Sequence, residues 1–237
     1  MTTNKINVDG LPGGSGPSAV FELYSLRFSD LLESAMSKRK INPDGAKDSS
    51  RSTIREAKPN ILLGVSGGVA AYKAVDLASK LTALGAAVQT VMTQNACRFV
   101  GPKTFEAVTC SAVFTSLWSP PEDHRSTHVA FVDWAEVIIV APATANIIGK
   151  AANGICDDLL STILCASSAR PVLLAPAMNL NMWNNPAVQR NMEFLKEMGF
   201  KLIGPVEGRL ADGTVGVGRM AEPQEILAAI EKMLLQK

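Results

Sequence analysis

Short apolar runs alternate with stretches of helical periodicity along most of the chain, and glycine, proline and asparagine punctuate the changes. Residues 61–65, 87–93, 136–141, 171–176 and, more weakly, 201–205 are rich in Val, Ile and Leu, the pattern of strands buried on both faces. An apolar stripe at helical spacing follows the first run and ends at Gly85, and Pro102 opens a helix within residues 99–117. Pro142 is expected to stop the third strand, and Thr144 or Asn146 to begin a helix that Ser161 to Ser167 completes. Asn185-Pro186 opens another helix to Gly199, and Glu222-Pro223 a last one through Leu235. Strands alternating with helices predict an α/β fold with a central parallel sheet and right-handed crossovers.

Two stretches break the alternation. Residues 1–59 hold a Gly/Pro/Ser linker and a polar, aperiodic segment, with one amphipathic stretch at 19–40 carrying Phe21, Tyr24, Phe28, Leu31, Leu32 and Met36. They are expected to form a largely disordered extension to a domain spanning 60–237. Residues 208–220 are glycine-rich with few apolar anchors and predict a mobile flap.

Composition narrows the function classes. The 47% apolar and 19% charged residues describe a globular chain with a large core, and a formal charge of +1 gives no electrostatic case for nucleic acid or an anionic membrane. No apolar run is long enough to span a bilayer. Cys97, Cys110, Cys156 and Cys165 lack C-x-x-C spacing and are expected to be buried free thiols in a reducing, cytoplasmic setting. The two histidines, His124 and His128, have no partner ligands nearby, so no metal site is expected.

Candidate chemistry collects at strand ends. Gly67-Gly68 after the first strand, Thr93 after the second and Thr144 to Asn146 after the third would face one crevice at the carboxyl edge of the sheet, where such folds bind ligands. Adjacent glycines let backbone N–H groups approach a phosphate, and a helix N-terminus adds its dipole. The turn is neither a G-x-G-x-x-G fingerprint nor a P-loop, and each turn alone fits an ordinary strand-turn-helix. Asn179 puts an amide on the same edge; His128 begins an apolar run, where a structural histidine is as natural as a catalytic one.

Five motifs then occur in order: Gly67-Gly68-Val69-Ala70-Ala71-Tyr72-Lys73, Ser126-Thr127-His128, Ala141-Pro142-Ala143-Thr144-Ala145-Asn146, Ala175-Pro176-Ala177-Met178-Asn179 with Met182-Trp183, and Gly216-Val217-Gly218-Arg219-Met220. Together they resemble the homo-oligomeric FMN-containing cysteine decarboxylases, over about residues 60–237. The resemblance implies a flavodoxin-like, Rossmann-type three-layer fold and a homotrimer, sometimes built into dodecamers, with FMN between neighbouring subunits. It implies Gly67, Gly68, Val69, Thr93, Thr144, Ala145, Asn146 and Ala177 as FMN contacts, and His128 as the base. It also implies Asn179 as the holder of the substrate carboxylate, and Ala211 and Met220 as parts of a substrate clamp. The implied activity is decarboxylation of phosphopantothenoylcysteine on the route to coenzyme A. The ligase that makes this substrate is expected to be a separate protein, since the chain ends where a fused ligase domain would begin.

Such a carboxylate has no electron sink of its own, and the family draws on FMN to convert the cysteine side chain to a thioaldehyde-like state before carbon dioxide leaves. One departure touches the end of that reaction. The family's flap reads Ala-Cys-Gly-Asp before its Gly-x-Gly, its cysteine returning a proton to the ene-thiolate; here Asp212 stands in the cysteine's place and Thr214 in the aspartate's. Asp212 fits as a proton donor if burial raises its pKa from about 3.9. Left solvated it does not, and the reaction would stop at an oxidised ene-thiol, as in decarboxylases acting on peptide C-terminal cysteines. A non-catalytic FMN-binding regulator is the alternative from another class. Cys156, where the family shows alanine, is expected to be buried packing.

Overall fold

The computed structural model describes residues 58–118, 126–167 and 169–236. The expected extension, except residues 58 and 59, and His124 lie outside the described residues. Six strands, β1 (Asn60–Val65), β2 (Ala87–Met92), β3 (Val113–Phe114), β4 (Val137–Ala143), β5 (Val172–Pro176) and β6 (Lys201–Leu202), form one sheet. Its order is β3-β2-β1-β4-β5-β6, and every neighbouring pair is parallel. Without the two-residue edge strand β3, the remaining five strands have the flavodoxin-like order, and the winding reverses between β1 and β4. The expected three-layer fold is therefore present.

Parallel strands covered on both faces need apolar side chains at every position, and β1 and β4 supply them. Ile61, Leu62, Leu63 and Val65 are wholly buried, as is all of β4. Each large aliphatic side chain so buried contributes about 1.5–3 kcal/mol before chain entropy is charged. Helix α1 (Ala71–Ala83) closes one face with Ala74, Leu77, Ala78 and Leu81, the i, i+3, i+4, i+7 stripe of an amphipathic helix. The remaining helices are α2 (Pro102–Thr109), α3 (Thr127–Trp134), α4 (Ala145–Ala152), α5 (Leu159–Ala166), α6 (Leu180–Trp183), α7 (Pro186–Glu197) and α8 (Pro223–Leu235).

Several expectations are corrected. Pro142 does not stop β4. The strand runs on to Ala143, and the Pro142 carbonyl, which proline keeps, accepts both the Ser66 N–H (3.3 Å) and hydroxyl (2.7 Å). The single helix over 144–167 is two, α4 and α5. Gly154 leaves the first at φ 65°, and Asp158 with Ser161 caps the second in a reciprocal box (2.8 and 3.1 Å). Lys150 clasps Asp157 and Asp158, each at 2.6 Å, across the break. The run at 201–205 is not the last strand. The stretch expected to be a mobile flap is an antiparallel hairpin, β7 (Val206–Arg209) with β8 (Val215–Arg219), anchored by buried Leu210 and Met220. Finally, the four cysteines are free thiols, but Cys110, Cys156 and Cys165 are exposed and Cys97 is half-buried, so Cys156 is not core packing.

The hairpin is tied to α1 from below. The Lys73 ammonium, largely buried, donates to Glu222 Oε1 (2.8 Å) and to the Met220 carbonyl (3.5 Å), and Arg219 reaches the same glutamate. Lys73, then the cost of leaving water, then Arg219 act on Glu222, with the net result that its carboxyl lies below its ordinary 4.5. A carboxylate with a depressed folded pKa stabilises the fold fully above the unfolded value and loses that contribution as pH falls through the folded one. The melting temperature of wild type should therefore exceed that of Glu222→Gln at neutral pH, and the gap should close below pH 4.5. Thermal unfolding followed at several pH values checks this; a gap that persists in acid refutes it.

Candidate functional site

Four turns at the carboxyl edge of the sheet touch one another. At the end of β1, the Ser66 hydroxyl donates to the Pro142 carbonyl and bonds the Thr144 hydroxyl (3.0 Å), while accepting from the Thr144 N–H (3.0 Å). Ser66 thus locks the β1 turn to the β4 turn, a link for which composition carries no signal. The next residues have no room to spare. A Cβ on Gly67 would stand 2.4 Å from Asn95 Cβ, and one on Gly68 would stand 3.3 Å from Thr144 Cγ2. Only a hydrogen fits where Gly67 brings the β1 turn against the β2 turn, and Gly68 lies close to the β4 turn with little space to spare.

Free backbone donors line this meeting point. Among the described residues, the N–H groups of Gly67, Gly68, Val69 and Ala70 have no hydrogen-bond partner, and neither do those of Ala145, Asn146 and Ile147. The first set leads into α1 and the second opens α4, so two helix N-termini present unpaired donors and positive dipole ends to one crevice. Unpaired N–H groups here suit an anionic or strongly polar ligand. Thr93 sits beside them, its N–H held by Val65 (3.0 Å) and its hydroxyl accepting from Ala96 (3.2 Å). Thr144 occupies the N-cap position of α4 yet spends its hydroxyl on Ser66 instead of capping. Gly67, Gly68, Thr144 and Ala145 are half-buried, whereas Val69 and Asn146 are exposed.

The end of β5 joins the β4 turn and the hairpin. Ala177 donates its N–H to Ala143 (3.0 Å), and Met178 to the Gly218 carbonyl (2.9 Å). A Cβ on Gly218 would lie 2.2 Å from the Met178 oxygen, and one on Gly216 2.9 Å from Leu180 Cδ2, so the hairpin docks edge-on against the β5 turn through its glycines. Asn179 comes next, its Oδ1 accepting from Asn181 N (2.7 Å) and its amide Nδ2 donating to the Asp212 carboxylate.

Asp212 does not meet the condition set for a proton donor. It is exposed, and the Thr214 hydroxyl (2.6 Å) and N–H (3.0 Å), together with the Asn179 amide, hold its carboxyl below the ordinary range despite some desolvation. The carboxylate form is the one favoured there. Met220 and Ala211 differ in exposure. The Met220 side chain is wholly buried in the chain and anchors the hairpin, while Ala211 is exposed at the tip. His128 is half-buried in the first turn of α3, and no hydrogen bond among the described residues joins it to Asn179 or Asp212. The described residues contain no group of acidic, histidine or cysteine side chains arranged to hold a metal ion, and no helix there is long and apolar enough to cross a membrane.

Comparison with known proteins points the same way. The sequence profile of the flavoprotein family matches residues 49–235. The coenzyme A biosynthesis bifunctional protein CoaBC of Bacillus subtilis (strain 168) is 51% identical over 173 residues, which is 73% of this chain and 42% of that protein. The chain thus spans less than half the length of this relative. Among solved structures, a cysteine-to-serine variant of PPC decarboxylase complexed with pantothenoylaminoethenethiol superposes with a TM-score of 0.70 at 36% identity, over 76% of this chain and all of that one. The FMN-binding protein AtHal3 gives 0.68 at 36% identity, over 76% of this chain and 99% of its own.

Proposed function

The chain belongs to the flavoprotein family, and on that premise we propose that it decarboxylates phosphopantothenoylcysteine to phosphopantetheine with FMN as cofactor. The observation that carries this reading is the crevice itself. Unpaired N–H groups of residues 67–70 and 145–147 lie on one edge, and the Asn179 amide stands at the adjoining strand end. The donor set fits FMN, whose phosphate and ring carbonyls are acceptors, and Gly67, Gly68, Val69, Thr93, Thr144, Ala145, Asn146 and Ala177 would hold it. Once bound, FMN supplies the electron sink that no side chain of this protein offers.

The chain's own groups then have distinct tasks. Asn179 donates a neutral amide N–H to the substrate carboxylate, fixing its orientation without the strong stabilisation a cation would give the ground state. His128 takes a proton from the substrate, a task for which imidazoles are suited because they ordinarily titrate near neutral pH. The hairpin, docked against the β5 turn beside Asn179, would limit access of water to the reacting carbon.

The site is completed by further copies of the chain, in a homotrimer. Val69 in the proposed FMN site, Tyr72 in the first turn of α1 and Val129 next to His128 are 58%, 62% and 45% exposed in the isolated chain, and exposed apolar side chains at these places favour burial against a second copy. The reaction belongs to the cytoplasm, and its substrate comes from a phosphopantothenate–cysteine ligase.

Mass spectrometry of products from FMN-loaded protein and phosphopantothenoylcysteine tests the reading, with phosphopantetheine as the expected product. A product two hydrogens lighter would support a second reading, oxidative decarboxylation of a cysteinyl carboxyl end, which the exposed, ionised state of Asp212 favours. No product at all would leave a flavin-binding, non-catalytic role.

A further inference from the structure

Asp212 and Thr214 are the two places where the hairpin departs from the family pattern, and in the structure they act as one unit. The Thr214 hydroxyl and N–H both bond Asp212 Oδ1 (2.6 and 3.0 Å), which turns the other carboxylate oxygen toward Asn179 Nδ2. An aspartate at 214 would instead set a second negative charge against Asp212, so the threonine is what lets a carboxylate rest here. The acceptor that the hairpin brings to Asn179, across 33 residues of sequence, is chemically the same group the substrate offers, a carboxylate oxygen.

We propose that Asp212 is an internal competitor for the amide of Asn179, a built-in carboxylate that latches the hairpin tip when no substrate is bound. The inference rests on the reading of Asn179 as holder of the substrate carboxylate. A substrate displaces the latch by offering its own carboxylate, and the hairpin then closes over the ligand instead of over Asn179. A ligand without a carboxylate does not compete for the amide and leaves the latch in place. Asp212 is accordingly a positioning residue that sets affinity for carboxylates, and Thr214 acts through it.

Binding of unreactive ligands to the FMN-loaded protein separates the possibilities. The serine analogue of phosphopantothenoylcysteine keeps the carboxylate, and the matching ethanolamine analogue lacks it. A latch that leaves the amide free in about one molecule in ten weakens apparent affinity about tenfold. Asp212→Ala should therefore bind the serine analogue up to about tenfold more tightly than wild type does, with no change for the ethanolamine analogue. Thr214→Val should shift the serine analogue in the same direction by less. Both sites are exposed, and retained flavin absorbance shows that the variants fold.

Unchanged or weaker binding of the serine analogue to Asp212→Ala overturns the latch. Asn179→Ala tests the underlying reading separately. If it removes the preference for the carboxylate ligand in the Asp212→Ala background, Asn179 holds the carboxylate whatever the fate of the latch. If the preference survives, that reading fails and the latch fails with it.

Discussion

Replacing His128 with asparagine slows carbon dioxide release, lowering kcat by about 10²–10⁴-fold, the usual worth of a positioned acid–base group. The protein remains yellow. Asparagine keeps a donor and an acceptor in a similar volume but has no proton to exchange near neutral pH, so the change removes proton transfer and little else. Position 128 tolerates it structurally, because it is half-buried in the first turn of α3 and helix propensities of His and Asn are close. His128 also lies outside both sets of free N–H groups proposed to hold FMN. Flavin absorbance and turnover of the purified variant are the two readouts. A colourless variant would mean that His128 holds the cofactor, and full turnover would assign the base elsewhere.

Gly67→Ala has the opposite signature: the protein folds and comes away from purification without flavin. The new methyl carbon would sit 2.4 Å from Asn95 Cβ and 2.8 Å from the Asn95 carbonyl carbon. Rotation of a side chain does not relieve a contact with main-chain carbon, so the β1 and β2 turns must separate. That opens the cradle at its centre, where the unpaired N–H groups of residues 67–70 begin. Overpacking of this kind costs about 1–3 kcal/mol, which, charged to the ligand-bound geometry, weakens binding about tenfold or more. Strand β1 itself ends at Val65 with its core contacts intact. Gly101→Ala is the matched control, since a methyl there meets open space before α2. Flavin content per chain distinguishes the two, and a Gly67→Ala protein with wild-type flavin content would remove this turn from the cofactor site.

With the latch in place, a carboxylate standing where the family has a thiol does more than lose a proton donor. Asp212 is an acceptor already engaged by the residue that its position faces, and its partner Thr214 is the neighbour that orients it. Substrate preference and hairpin position become linked through a single amide, which is why affinity is the expected readout of that substitution.

Much of the sheet was legible from local pattern. A parallel strand between two helix layers is buried on both faces, so its run of Val, Ile and Leu is visible without knowing its neighbours. The glycine pair after β1 was equally visible, since turn chemistry is written in the residues that make the turn. The break between α4 and α5 also had a local signal in Asn153-Gly154 and Asp158 with Ser161, masked by the apolar residues on either side. Proline at 142 misleads for a definite reason. It removes an N–H, but the strand continues because its carbonyl still finds Ser66, 76 residues away.

By itself, then, the sequence determined five of the six strands of the sheet, most of the helices and the chemical types available at the carboxyl edge, because periodicity and turn preference depend on a few consecutive residues; the two-residue β3 and the short helices α3 and α6 were not among them. Only the tertiary structure decided that the 208–220 stretch is an anchored hairpin, that Met220 faces inward, and that the Asp212 carboxylate rests on Asn179. Those outcomes depend on where β8 docks, and that docking is set by the closeness of Gly218 to the Met178 carbonyl, a contact between residues 40 positions apart that no local pattern encodes.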